Sequence, residues 1–257
     1  MTRLIQLGCL LAAALLLGCV TTGSRETQEA KVRKAQVHFD LGVDHLDRGR
    51  AAMGLRELLV AETLDPLNPR IHYVLGEAYL RRGKVDESEA HLVKALEIYP
   101  EYQDARLTLS AVYLGREKYE QALIESQVLI DDPTFPASWR ALSNHGWAAF
   151  QLGRLAEARN SLDEALEFRG DYWNARLNLG ILEAREGNAV KAVEHFQQVM
   201  AQKPGPSVEA EVNYRLAEIF VSLGKRQKAV GHLTTAASQT PGGLWGKKSE
   251  EYLKLLR

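Results

Sequence analysis

The chain has 257 residues, with 32 Lys+Arg against 33 Asp+Glu and a formal net charge of −1. That balance excludes the basic excess or stripe of a nucleic-acid-binding surface, and 25% charged with 46% apolar residues is an ordinary soluble composition. The length suffices for one large domain or two small ones. In chain order, the first element is an apolar run from Leu4 to Leu17, set behind Arg3 and broken only by Gln6. As a helix it would rise about 21 Å, at about 1.5 Å per residue, short of a bilayer core of about 30 Å. A short run behind a basic start reads as an export signal over residues 1–18. No later segment is apolar enough to span a membrane.

The run ends in Leu16-Leu17-Gly18-Cys19. These residues resemble the bacterial lipobox, with leucine at −3 and a small residue before the cysteine. The resemblance implies diacylglycerol on the Cys19 thiol, cleavage before it and acylation of the new amine. The three acyl chains so implied exceed the two signals that stable anchoring takes. Cys9 lies in the signal and would be removed, so the mature chain could form no internal disulfide. Val20 rather than Asp follows Cys19, which by resemblance to the sorting rule of enteric bacteria implies the outer membrane. Residues 19–34 read as the lipidated N-terminus and a polar tether, whose fifteen residues after the cysteine reach at most about 50 Å.

Internal repeats fill the rest. Small residues recur at Gly42, Gly76, Ser110, Gly146, Gly180 and Ala217, in steps of 34, 34, 36, 34 and 37. Twelve residues after each comes a second small residue: Gly54, Ser88, Ala122, Ala158, Ala192 and Ala229. Seven residues after the first stands Gly49, Gly83, Gly153, Gly187 or Gly224, with Glu117 in the third unit. Twenty-four residues after it comes Pro66, Pro100, Gly170, Pro204 or Pro241, with Thr134 in the third. Leucine precedes the first small residue in every unit but one, where His145 stands. Small residues where two backbones approach, glycine in the turn and proline after the second helix describe a helix hairpin. The pattern resembles the tetratricopeptide repeat of 34 residues, although the tryptophan expected early in each unit is missing. The resemblance implies an all-α, right-handed solenoid of six repeats: 35–68, 69–102, 103–136, 139–172, 173–206 and 210–243. Insertions fall at the junctions near Ala137-Ser138 and Ser207 to Glu209. Beyond Pro241 the register breaks, and residues 244–257 read as a capping helix with Trp245, Tyr252, Leu253 and Leu256 on one face. No separate second domain is expected.

Catalytic patterns are missing. No two of the seven histidines lie four apart, and neither H-E-x-x-H nor G-x-S-x-G occurs. The stretch around Gly246-Lys247 fails the phosphate-loop pattern at Pro241 and Lys248. His38, Asp44, His45 and Asp47 cluster in the first repeat and read as a solvated helix face. Asn144 and Asn178 share a repeat position and read as structural. The expectation is no enzyme, no metal, no cofactor beyond the lipid on Cys19, and no small-molecule substrate.

The first helix of each unit lines the concave face of such a stack. By resemblance, that face carries Phe39, Val43, Tyr73, Leu80, Leu107, Leu114, Trp147, Phe150, Leu177, Ile181 and Tyr214. These form an apolar, charge-rimmed floor expected to face water and to bind an amphipathic helix or an apolar extended segment. Trp147 and Phe150 are the expected anchors. The Lys and Asn of the carboxylate clamp that holds acidic chaperone tails are missing at the corresponding positions, among them Phe39, Val43, Tyr73 and Glu77.

Six repeats behind a lipid anchor, with Leu142 to Ala158 reading "LSNHGWAAFQLGRLAEA", resemble the type IV pilus pilotins, the Tgl/PilF/PilW family. His145 stands where that family's segment has an aromatic. The resemblance implies a periplasmic solenoid anchored to the outer membrane that assists localisation and multimerisation of the pilus secretin. Secretin subunits would be its partners. The rival expectation is an adaptor for another envelope assembly, such as β-barrel or peptidoglycan machinery.

Overall fold

The computed structural model describes residues 27–256, so the signal, Cys19 and the first part of the tether lie outside the described residues. Every regular element among the described residues is helical. Helix α1 covers residues 27–47. It is followed by α2 (Ala51–Leu64), α3 (Pro69–Arg81), α4 (Val85–Ile98), α5 (Gln103–Gly115), α6 (Tyr119–Ile130) and α7 (Ser138–Gln151). Then come α8 (Leu155–Phe168), α9 (Trp173–Arg185), α10 (Ala189–Ala201), α11 (Pro206–Ser222), α12 (Arg226–Gln239) and α13 (Leu244–Leu255). Residues 27–34, read from sequence as tether, are helical and lengthen α1. They hold no Gly or Pro, and Glu29 pairs with Arg33 one turn on at 3.9 Å.

Each hairpin closes in the same way. The glycine between its helices takes a left-handed φ of 70 to 85° at Gly49, Gly83, Gly153, Gly187 and Gly224. The next residue's N–H reaches back five residues, as from Lys84 to the Tyr79 carbonyl at 3.0 Å and from Arg154 to the Ala149 carbonyl at 2.9 Å. This is the Schellman ending, in which a left-handed residue lets the chain satisfy its last carbonyls. The third hairpin makes the same bond, Lys118 to Tyr113 at 2.9 Å, with Glu117 at φ 58°, a conformation a non-glycine residue adopts at a cost.

The helices of a hairpin lock through a glycine notch sixteen residues from its filler. A Cβ at Gly42, Gly76, Gly146 or Gly180 would lie 2.8, 2.7, 2.7 or 2.6 Å from Leu58, Leu92, Leu162 or Phe196. All four fillers are fully buried. The third repeat has Ser110 and Ser126 at these positions.

The chain divides into two compact units, one up to Leu109 and one from Ser110 onward, where the sequence predicts a single domain. The dividing line falls within α5 of the third repeat, the repeat without a glycine notch or an apolar filler. In the first unit, α3 packs on α2 and α4 around Leu58, Ile71 and Leu75. In the second, successive helices from α6 to α13 pack on one another, and first helices of consecutive repeats also meet, α7 on α9 and α9 on α11. Helix α13 packs on α11 and α12, setting Tyr252, Leu253 and Leu256 against Ala217, Ala229 and Leu233.

His145 fills a leucine position by pairing its Nδ1 with Ser161 Oγ at 2.9 Å. Burial lowers its pKa below the ordinary imidazole value of 6.5, as burial also does at His195 and His232. A folded-state value below the unfolded one means that the unfolded chain binds protons first. Stability is therefore full above about pH 6.5 and is lost as pH falls through the folded values. Asp163 and Glu211, pushed up by burial, act in the opposite sense at lower pH. Thermal melts followed by circular dichroism should show the midpoint falling between pH 7.5 and 5.5; a midpoint that rises over this window would contradict the assignment.

Candidate functional site

A 34-residue period places the same helix face of consecutive repeats side by side. In the second unit this builds an open cleft of about 480 Å³ from three first helices. Helix α7 contributes Trp147, Phe150 and Gln151; α9 contributes Ile181, Ala184 and Arg185; α11 contributes Arg215, Glu218, Ile219 and Ser222. Trp147 and Phe150 stack at 5.2 Å between centroids with 16° between planes. The Arg185 guanidinium lies 5.1 Å over the Phe150 ring, a cation–π contact that fixes an exposed charge beside an apolar wall.

The opposite wall is charged. Arg215 reaches Glu218 at 3.3 Å and Glu211 at 3.5 Å, and its guanidinium lies 4.9 Å over Trp245 of α13. Burial pushes the Glu211 carboxyl above its usual range, against the pull of Arg215. Burial, with Glu218 nearby, also raises the Tyr214 phenol, whose ring packs 5.2 Å from Trp245. The lining hydroxyl, Ser222 Oγ, donates to the Ile219 carbonyl at 2.7 Å, and the cleft lining includes no histidine or cysteine. Such a surface can bind a segment carrying both an apolar side chain and a charge; it offers no nucleophile paired with a base.

The predicted water-facing floor is only partly met. Phe39, Leu107, Phe150, Leu177 and Ile181 are buried. Phe150, Leu177 and Ile181 belong to the second unit's core, because the close approach of α7, α9 and α11 interlocks these positions. Trp147, Leu114, Val43, Tyr73 and Tyr214 are half-buried and Leu80 is exposed. The structure therefore brings Trp147, Phe150 and Ile181 into one cleft. Tyr214 lines a neighbouring hollow that shares Glu218. In the first unit, Arg70 lies 5.1 Å over Phe39 and Tyr73 packs 5.1 Å from Tyr102. Arg215 and Ile219 were not legible as lining residues, because they fall at the sixth and tenth places of the last repeat, outside the positions that the repeat resemblance assigns to the concave face.

Three of the other sequence candidates have internal uses. Asn144 Nδ2 donates to Ser110 Oγ of the preceding repeat at 2.8 Å. His38 pairs with Glu57 at 2.8 Å and Asp44 with Arg48 at 2.8 Å. No helix among the described residues is long and apolar enough to cross a membrane.

The tetratricopeptide repeat family model matches residues 39–103, 107–172 and 143–206, more than half of the chain. The chain belongs to the tetratricopeptide repeat family. Within it, 216 residues are 23% identical to the type IV pilus assembly protein PilF of Pseudomonas aeruginosa, covering 82% of this chain and 84% of that one. The structure of PilW, a type IV pilus biogenesis factor, superposes with a TM-score of 0.71 at 18% identity, covering 83% of this chain and 97% of the other. A tetratricopeptide repeat protein from Parabacteroides merdae also gives 0.71, at 21% identity over 87% and 86%. The two structural likenesses show the shared repeat fold.

Proposed function

We propose that this protein is a lipid-anchored scaffold of type IV pilus biogenesis that assists localisation and multimerisation of the pilus secretin. The observation that supports it best is the extent of the relation to PilF, which runs over most of both chains rather than over one or two repeats. Cys19 would carry the lipid, hold the repeats at the inner leaflet of the outer membrane and leave them in the periplasm. The cleft between α7, α9 and α11 would then capture an apolar segment of an unassembled secretin subunit and raise its local concentration. No covalent step is required.

Two outcomes test this reading. Cys19→Ser is expected to move the protein from the membrane to the soluble fraction; retention on membranes after a high-salt wash would remove the anchor. Trp147→Ala with Arg185→Glu is expected to weaken capture of secretin subunits about 30-fold or more, the effect of losing about 2 kcal/mol at a hot spot. Circular dichroism should stay unchanged. Undiminished recovery in a pull-down would place the binding face elsewhere.

A further inference from the structure

Repeat positions nineteen residues apart hold a polar pair between the two helices of several hairpins. His38 meets Glu57 at 2.8 Å, and Asn213 meets His232 at 2.8 Å. In the second repeat both members are histidines, His72 of α3 and His91 of α4, with their Nδ1 atoms 3.2 Å apart. A third donor joins them from the preceding hairpin: Glu62 Oε1 of α2 lies 3.6 Å from His72 Nδ1 and 3.7 Å from His91 Nδ1. These atoms form a triangle whose centre is about 2.0 Å from each corner, the bond length of Zn²⁺ to imidazole nitrogen or carboxylate oxygen.

We propose that Glu62, His72 and His91 bind a divalent transition-metal ion of the zinc class. The tautomer of His72 is already set for it. Its Nε2 lies 2.9 Å from the Pro66 carbonyl, which can only accept, so Nε2 carries the proton and Nδ1 presents a lone pair. A backbone carbonyl behind a ligating imidazole is the usual outer support of such sites. Tyr79 stacks on the His91 ring at 5.3 Å and 14°, holding it beside His72. Without metal, His91 Nδ1–H can donate to His72 Nδ1; with metal, His91 moves that proton to Nε2 and both Nδ1 lone pairs face the ion. No net proton is released. Two imidazoles and one carboxylate suit Zn²⁺, Cu²⁺ or Ni²⁺ over Mg²⁺ or Ca²⁺. Three protein ligands leave a position for water. Glu62 and His91 are half-buried and His72 is buried, so the ion would enter from the Glu62 side and tie α2 to the α3–α4 hairpin. Sequence spacing hid the site because its ligands are ten and nineteen residues apart on three helices.

The test is isothermal titration of the full, chelator-stripped chain with Zn²⁺ alone, alongside His91→Gln, Glu62→Gln and the control His195→Gln. One Zn²⁺ per chain is expected for the parent and the control, with binding weakened about tenfold or more in each ligand variant. Co²⁺ should give the visible bands of a four-coordinate ion in the parent and lose them in His91→Gln. Zn²⁺ should raise the thermal midpoint of the parent, as ligand linkage requires, and raise that of His91→Gln by less at the same Zn²⁺ concentration. Failure of the parent to bind Zn²⁺, or binding undiminished in both ligand variants, would overturn the proposal. Because both substituted side chains are half-buried, circular dichroism of the variants should match the parent.

Discussion

Phe196→Ala is expected to cost about 3–5 kcal/mol of folding stability, the range for emptying a buried aromatic site. Phe196 of α10 is fully buried and is the filler of the Gly180 notch on α9. Its ring also belongs to the core on which Ile181 of the cleft rests. Removing the ring leaves a cavity that the rigid hairpin cannot close, because the turn at Gly187 fixes both helices. The partner substitution gives the argument a sign. Gly180→Ala alone places a methyl 2.6 Å from the ring and should destabilise. In the Phe196→Ala background the same methyl enters empty space, and the helix gains about 0.5–1 kcal/mol from losing a glycine. A urea-denaturation cycle over the four proteins should therefore show strong coupling; additive effects would mean that the notch and its filler do not act together.

Arg159→Ala is expected to cost about 3 kcal/mol, the low end for breaking a buried ion pair. Arg159 of α8 donates to Glu183 Oε1 and to Glu186 Oε2, each at 2.6 Å. The Glu183 side chain is only 2% exposed, with Asn188 Nδ2 as a further donor at 2.7 Å. Burial pushes the Glu183 carboxyl up, but its bonds from Arg159 and Asn188 outweigh burial and hold it below 4.5. Without the guanidinium, its lowering pull is lost and the folded pKa rises relative to the parent. The deficit is then fully present at neutral pH and shrinks, relative to the parent at the same pH, as acid neutralises Glu183. A deficit independent of pH would show that the loss is packing and not charge.

The repeats were legible because their signals are local and recur. A notch glycine, a turn glycine and a breaking proline each answer a steric demand that the hairpin makes at every copy. The third repeat, with Ser110, Glu117 and Thr134, was visibly the odd one, yet only three-dimensional contacts show the division within α5. The cleft was half legible. Register located Trp147, Phe150 and Ile181, but not how deeply neighbouring first helices bury Phe150 and Ile181. Arg215 was missed because it falls one residue after Tyr214, outside the positions that the repeat resemblance assigns to the concave face. Glu62, His72 and His91 were missed for a related reason: helix-hairpin packing brings them together, and no spacing on a single helix announces it.

The proposed role of this scaffold is support of secretin assembly. Its most direct test is an immunoblot for heat-resistant secretin multimers in envelopes of cells with the gene, without it, and with the Trp147→Ala, Arg185→Glu variant. Loss of multimer with monomer remaining, in both the deletion and the variant, is the predicted result. Multimers unchanged by deletion would contradict the claim and assign the repeats to a different client.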